Sequence, residues 1–188
     1  MASDEDSSSG AAPGPRPRRA KAPPAQTGPE ALQAAVDVCL RLLRLRARSS
    51  QELQLALARK GYSAHTQGEA LERLRGWGYL DDARFARERA AALLERGRLG
   101  PRAVLQRLEA HGVALEEARS ALGQAREAVG FEPLEAARQV LQKRRLLEPE
   151  GPKARARAAR LLHGRGFSED VIAALLGQGA LDPSGAED

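Results

Sequence analysis

Three times along this chain a leucine is followed four residues later by a glycine, and at once by an apolar residue. The segments are Leu57-xxx-Gly61-Tyr62, Leu108-xxx-Gly112-Val113 and Leu162-xxx-Gly166-Phe167, spaced 51 and 54 residues apart. At the end of a helix this pattern reads as a core leucine, a left-handed glycine that stops the helix, and an apolar residue folded back onto the core. A unit recurring at such a period points to a tandem array. Each unit has too small a core to be comfortable alone, so neighbours dock side by side.

Residue usage makes the units helical. Ile occurs once (Ile172) and Thr twice (Thr27, Thr66), so the β-branched residues that favour strands are scarce. Ala, Leu, Arg, Glu and Gln, all strong helix formers, dominate. The expected fold is all-α: three tandem three-helix repeats at 29–80, 81–130 and 131–177, forming an elongated, curved molecule with a long concave face. A disordered Pro/Arg-rich tail is expected at 1–28, where no apolar periodicity appears, and a frayed C-terminal tail at 178–188.

Individual helices follow from periodicity and caps. The first, at about 30–46, carries Leu32, Val36, Cys39, Leu40 and Leu43 on one face, with Arg41, Arg44 and Arg48 on the other side. Ser49 and Glu52 fit a capping box that opens the second helix. A further box at Thr66 and Glu69 opens the third, which carries Leu71 and Leu74 and ends at Gly76 or Gly78. In the second block, Pro101 suits a first-turn position. The last helix of that block, at 115–129, is expected to be interrupted at Gly123. In the third block a helix carries Leu134, Ala137, Val140 and Leu141. The next turns Ala154, Ala158, Leu161 and Leu162 inward, and Ser168 caps the last.

The stretch from Gly76 to Ala86 joins the first block to the second. It holds the only Trp in a chain with 3% aromatic residues. Asp81 suits an N-cap and Asp82 a first-turn anion, while Leu80 and Phe85 have the spacing of a hydrophobic staple. Trp77, Tyr79, Leu80, Asp81, Asp82 and Phe85 are therefore expected to form a rigid, aromatic-packed structural joint.

No phosphate loop, metal-ligand cluster or nucleophile–base pair is evident, which argues against an enzyme, a cofactor, a metal site or a small-molecule substrate. His111 and His163 close the second helix of their blocks, where a cation would face the negative end of the helix dipole. The single cysteine, Cys39, excludes an intrachain disulfide framework and lies on an apolar face, as a buried thiol would. No apolar run approaches a membrane span, and the acidic, Ser-rich start is wrong for a secretory signal. The expectation is a cytoplasmic protein with no membrane partner.

Charge distribution singles out the third block. The net charge is +5, yet from position 143 to 165 eight basic residues stand against two acidic ones. Lys153, Arg157 and Arg160 share a helix face; Lys143, Arg144 and Arg145 approach from the helix before, and Arg165 follows. These seven are the candidate binding residues, for phosphates or an acidic protein groove. With few aromatics for stacking, a sequence-tolerant electrostatic contact fits better than base recognition. A competing reading takes residues 49–80 as the three helices of a winged helix-turn-helix, and hence a duplex DNA-binding transcription regulator. A wing would need a hairpin directly after Leu80, where the pattern is helical instead.

The block Gly78-Tyr79-Leu80-Asp81-Asp82-xx-Phe85-Ala86, with Arg96-Gly97-Arg98-Leu99-Gly100, Leu108-xx-His111-Gly112-Val113 and Arg165-Gly166-Phe167-Ser168, resembles the bacterial regulatory RecX family over about residues 30–177. The resemblance implies a non-enzymatic protein of tandem three-helix repeats. Such proteins bind in the groove of the RecA–single-stranded DNA filament and inhibit its extension, ATPase and strand exchange, modulating recombination, DNA repair and the SOS response. It also implies weak, sequence-independent affinity for single-stranded DNA; a monomer is expected. One departure is Gly164, where a basic residue would be expected before Arg165-Gly166-Phe167. The family brings no catalytic residues to carry over.

Overall fold

The computed structural model describes residues 26–178 and Ala180. The expected tail therefore lies outside the described residues up to position 25, and the folded part reaches back to Gln26. Nine helices account for the described residues. They are α1 (Pro29–Leu45), α2 (Ser50–Arg59), α3 (Ala64–Gly76), α4 (Asp82–Glu95), α5 (Pro101–Ala110), α6 (Leu115–Val129), α7 (Pro133–Lys143), α8 (Gly151–Gly164) and α9 (Glu169–Leu176). Among the described residues the sole β-type pairing is an isolated bridge between Gln26 and Tyr62.

These helices bury three separate cores. Leu53, Leu57, Leu71, Leu74 and Leu80 close on Val36 and Cys39 in the first. Phe85, Leu93, Leu94, Val104 and Leu108 close on Ala118, Ala121 and Leu122 in the second. Val140, Leu141, Leu162, Phe167 and Ile172 form the third. Each fully buried leucine contributes roughly 1.5–3 kcal/mol. Phe131 packs against both the second and the third core, tying those units together. Cys39 is fully buried, and burial raises its thiol pKa to about 11.

The repeated Leu-xxx-Gly-apolar segment forms the same turn in all three units. Tyr62, Val113 and Phe167 donate their amides to the carbonyls of Leu57, Leu108 and Leu162 at 3.3, 3.1 and 3.2 Å. The glycines between stand at φ +86, +80 and +81, a region costly to any residue with a Cβ. These are Schellman turns, and each apolar residue after the glycine is buried.

Several local expectations change. Ser63, not Thr66, caps α3: its hydroxyl accepts the Thr66 amide at 3.1 Å. The helix begins there because Ser63 directly follows the turn that closes α2, and both its own amide and the Thr66 hydroxyl bond to the Gln26 carbonyl. Gly123 does not interrupt α6. A mid-helix glycine costs about 1 kcal/mol against alanine, less than the burial of Ala118, Ala121, Leu122 and Ala125 returns. Leu134 stays 45% exposed in the first turn of α7, whose packed stripe is Ala136, Ala137, Val140 and Leu141. Ala180, placed in the frayed tail by its sequence, is buried on the third core.

Candidate functional site

The basic residues of the third unit are set out by the end of α7 and the length of α8. Lys143 is the last residue of α7 and Arg144 its C-cap, while Arg145 stands at φ +56. The Arg145 and Leu146 amides donate to Gln142 and Leu141 carbonyls at 3.0 and 2.9 Å, a Schellman turn with arginine in the glycine position. Arg145 is the one non-glycine residue of positive φ among the described residues. Lys153, Arg157 and Arg160 recur along one face of α8, opposite the buried Ala158 and Leu162. All six cations are exposed. None takes part in an ion pair among the described residues.

Arg165 does not belong with those six. It is half-buried, its Nη1 donates to the Arg98 carbonyl at 3.0 Å, and its own carbonyl accepts the Gly100 amide at 2.8 Å. Arg102 N–H then bonds Gly166 O at 3.1 Å. A Cβ on Gly100 would collide with the Gly166 backbone, and one on Gly166 with Ala103. The start of α5 is thus pressed onto the end of α8. Arg165 is a fastening between the second and third units.

The structural joint is polar rather than aromatic. Leu80 and Phe85 are buried, but Trp77 and Tyr79 are 54% and 56% exposed. The Schellman turn at Gly78, in which Tyr79 N–H bonds Leu74 O at 2.9 Å, swings the chain so that Leu80 closes the first core. Trp77, at the C-cap, and Tyr79 are left facing outward. Asp81 caps α4 as expected, accepting the Arg84 amide at 2.8 Å. Asp82 does more than bias the helix dipole. It accepts the Ser50 amide at 2.7 Å and the Ser50 hydroxyl, so it fastens the start of α2 to the start of α4.

The capping box of Ser49 and Glu52 is present and also reaches across units. Ser49 Oγ donates to the His111 carbonyl, and Glu52 pairs with Arg46 at 2.6 Å and with His111 Nδ1 at 3.4 Å. Burial pushes the Glu52 carboxyl up. The hydrogen bond and charge of Arg46, the Ser49 amide and the charge of His111 outweigh it, holding the carboxyl below its ordinary value. The His111 ring meets Phe85 edge-on, centroids 5.7 Å apart.

A cleft of about 780 Å³ opens between α1 and α4 beside the joint. Arg41, Arg44, Arg48 and Arg84 line it with Asp37 and Glu88, and Tyr79 borders it. Arg48 Nε is buried with no protein partner. The helical spacing of Arg41, Arg44 and Arg48 was visible in the sequence, but their convergence with Arg84 required the fold. Among the described residues no group of three or more His, Cys, Asp or Glu side chains gathers as a metal site would need. No described helix is long and apolar enough to cross a membrane.

Three three-helix units, fastened in series through their middle helices, define an all-helical tandem-repeat protein with unpaired cations on its last unit. Family models agree unit by unit. Those described as the first, second and third three-helix domains of RecX match residues 35–74, 81–122 and 132–176. The regulatory protein RecX of Mycobacterium leprae (strain Br4923) is 30% identical over 150 residues, spanning 80% of this chain and 87% of that protein. Its counterpart from Mycolicibacterium vanbaalenii is 32% identical over 155 residues, spanning 77% and 83%. The crystal structure of RecX from Lactobacillus salivarius shares the fold, with a TM-score of 0.68 at 17% identity, over 81% of this chain and 98% of that one. A second crystal structure, of a regulatory protein RecX, gives 0.67 at 21% identity over 77% and 72%. The chain belongs to the RecX family of regulatory proteins.

Proposed function

We propose that this protein is a non-enzymatic, cytoplasmic regulator that binds the RecA–single-stranded DNA filament and restrains its extension, ATP hydrolysis and strand exchange. Through that filament it modulates recombination, repair and the SOS response. Membership of the RecX family carries this reading. The exposed cations of the third unit support it: a polyanionic groove would release their counterions and recover the electrostatic energy that no internal partner supplies. Weak, sequence-independent affinity for single-stranded DNA follows from the same face. A duplex-reading regulator is less well supported, because α4 begins at Asp82, where a wing would have to form.

The test is ATP hydrolysis by the cognate RecA on single-stranded DNA. The purified protein slows it at substoichiometric amounts, and Arg157→Glu with Arg160→Glu weakens the inhibition while the helical circular dichroism is unchanged. No inhibition over a wide concentration range would sink the proposal. Inhibition undiminished in the double variant would remove this face of α8 from the interface.

A further inference from the structure

The carbonyls at the end of each middle helix are covered by a segment from earlier in the chain. On the second unit, His111 O accepts Ser49 Oγ, and Gln51 lies so close over Gly112 that a Cβ there would overlap it. On the third, the carbonyls of Arg165 and Gly166 accept the amides of Gly100 and Arg102 at 2.8 and 3.1 Å. No helical unit precedes the first one among the described residues. Yet its two equivalent carbonyls are filled in the same way. Gly61 O accepts the Gln26 amide at 2.9 Å, and Lys60 O accepts the Gln26 side-chain Nε2 at 3.1 Å. Ser63 N–H returns a bond to Gln26 O at 3.1 Å, and the Thr66 hydroxyl another at 3.2 Å. Gln26 stands where the start of α5 stands on the third unit.

The opposite end of the array has a start without a socket. The helix α8 opens with Gly151-Pro152-Lys153, the glycine–proline–cation order of Gly100-Pro101-Arg102 in α5. Gly100 is pressed against the Gly166 backbone, whereas nothing stands within 4 Å of a Cβ built at Gly151. The pieces that meet between the second and third units are therefore both present at the two ends of the chain, with the socket held by Gln26 and the helix start unpartnered.

We propose that the turn Lys60-Gly61-Tyr62 is a docking site for the start of α8 of a second copy of this chain, and that Gln26 is a built-in competitor for it. In the docked arrangement the Gly151 and Lys153 amides serve Lys60 O and Gly61 O, repeating the contact that Gly100 and Arg102 make within the chain. The negative end of α2 then faces the positive end of α8. Such a contact is head-to-tail rather than self-complementary, so it propagates into open arrays instead of closing on a dimer. Gln26 acts as a terminal repeat does in other solenoids, covering the end that would otherwise propagate. The inference stands independently of the RecA reading.

Sedimentation of the full chain over a wide concentration range tests it. Gln26→Pro removes both the amide and the side-chain donor. Its weight-average mass rises with concentration above the 20.2 kDa of one chain. The association is about tenfold or more tighter than that of the wild type, because two hydrogen bonds no longer compete. Gly151→Leu added to Gln26→Pro returns the mass to a single chain. Gln26→Pro remaining at one chain's mass throughout, or association that survives Gly151→Leu, overturns the proposal. If circular dichroism shows that Gln26→Pro has lost helix, Gln26→Ala, which keeps the backbone and removes only the side-chain amide, takes its place under the same two criteria.

Discussion

Arg145 holds a backbone conformation that suits glycine, at φ +56 in the turn that closes α7, and its guanidinium is exposed and unpaired. Replacing it with glycine separates backbone from charge. The left-handed region costs a residue with a Cβ about 1–2 kcal/mol. Glycine recovers that, but makes the unfolded chain more flexible, which gives back roughly 0.4–1 kcal/mol. Arg145→Gly should therefore gain about 0.5–1 kcal/mol of stability. For a chain of this size, that raises Tm by about 1–4 °C. If Arg145 meets a phosphate of single-stranded DNA, the same substitution weakens binding, and the slope of log K against log salt falls by about 0.7. Thermal melting by circular dichroism reads the first quantity, and fluorescence anisotropy with labelled single-stranded DNA at several salt concentrations reads the second. A fall in Tm would refute the argument that the turn is strained. A rise in Tm with unchanged salt slope would remove Arg145 from the nucleic-acid contact.

Three further outcomes follow from the fastenings between units. Gly100 stands at φ −83 and ψ 167, ordinary for any residue, so Gly100→Ala tests close approach alone. It should cost roughly 1–3 kcal/mol through overpacking. Hydrogen exchange should speed up at the residue 100 and Arg102 amides while the amides in the interior of α5 stay protected; unaltered exchange would contradict the tight contact. Asp82→Ala leaves the half-buried Ser50 amide without its acceptor, a loss of roughly 1–3 kcal/mol in urea unfolding. An unchanged urea midpoint would mean that water replaces the carboxylate at no cost. Glu52 has a carboxyl pKa lowered in the fold, so its stabilisation is present above the ordinary carboxylate value and is lost as pH falls through the folded pKa. Urea midpoints from neutral to acidic pH should therefore fall less steeply in Glu52→Gln than in the wild type. Parallel curves would show that Glu52 titrates alike folded and unfolded.

Much of this molecule is legible because its signals are local. The Ser49–Glu52 box, the Asp81 and Ser168 caps and the three glycine turns each depend on residues within about five positions of one another, as the hydrogen bonds of turns and caps do. Helical periodicity found the inward faces for a similar reason: Leu53, Leu57, Leu71 and Leu74 repeat on the helix's own geometry. Where two local solutions were both sound, as with Ser63 and Thr66 as caps, the chain's next contact decided between them.

What the fold alone decided is which surfaces meet. Nothing near Trp77 or Tyr79 in the chain distinguishes a packed ring from an exposed one; the Gly78 turn does so by sending Leu80 inward in their stead. Asp82 reads as a helix-dipole anion until Ser50, 32 residues earlier, is brought against it. Arg165 reads as one more cation until its carbonyl is found holding Gly100. The sequence by itself determined the helices, their ends and the threefold repeat, since these arise from neighbours along the chain. The fastenings between units, and hence which charges are spent inside and which remain for a partner, arise between residues far apart in sequence. Only tertiary packing brings those together.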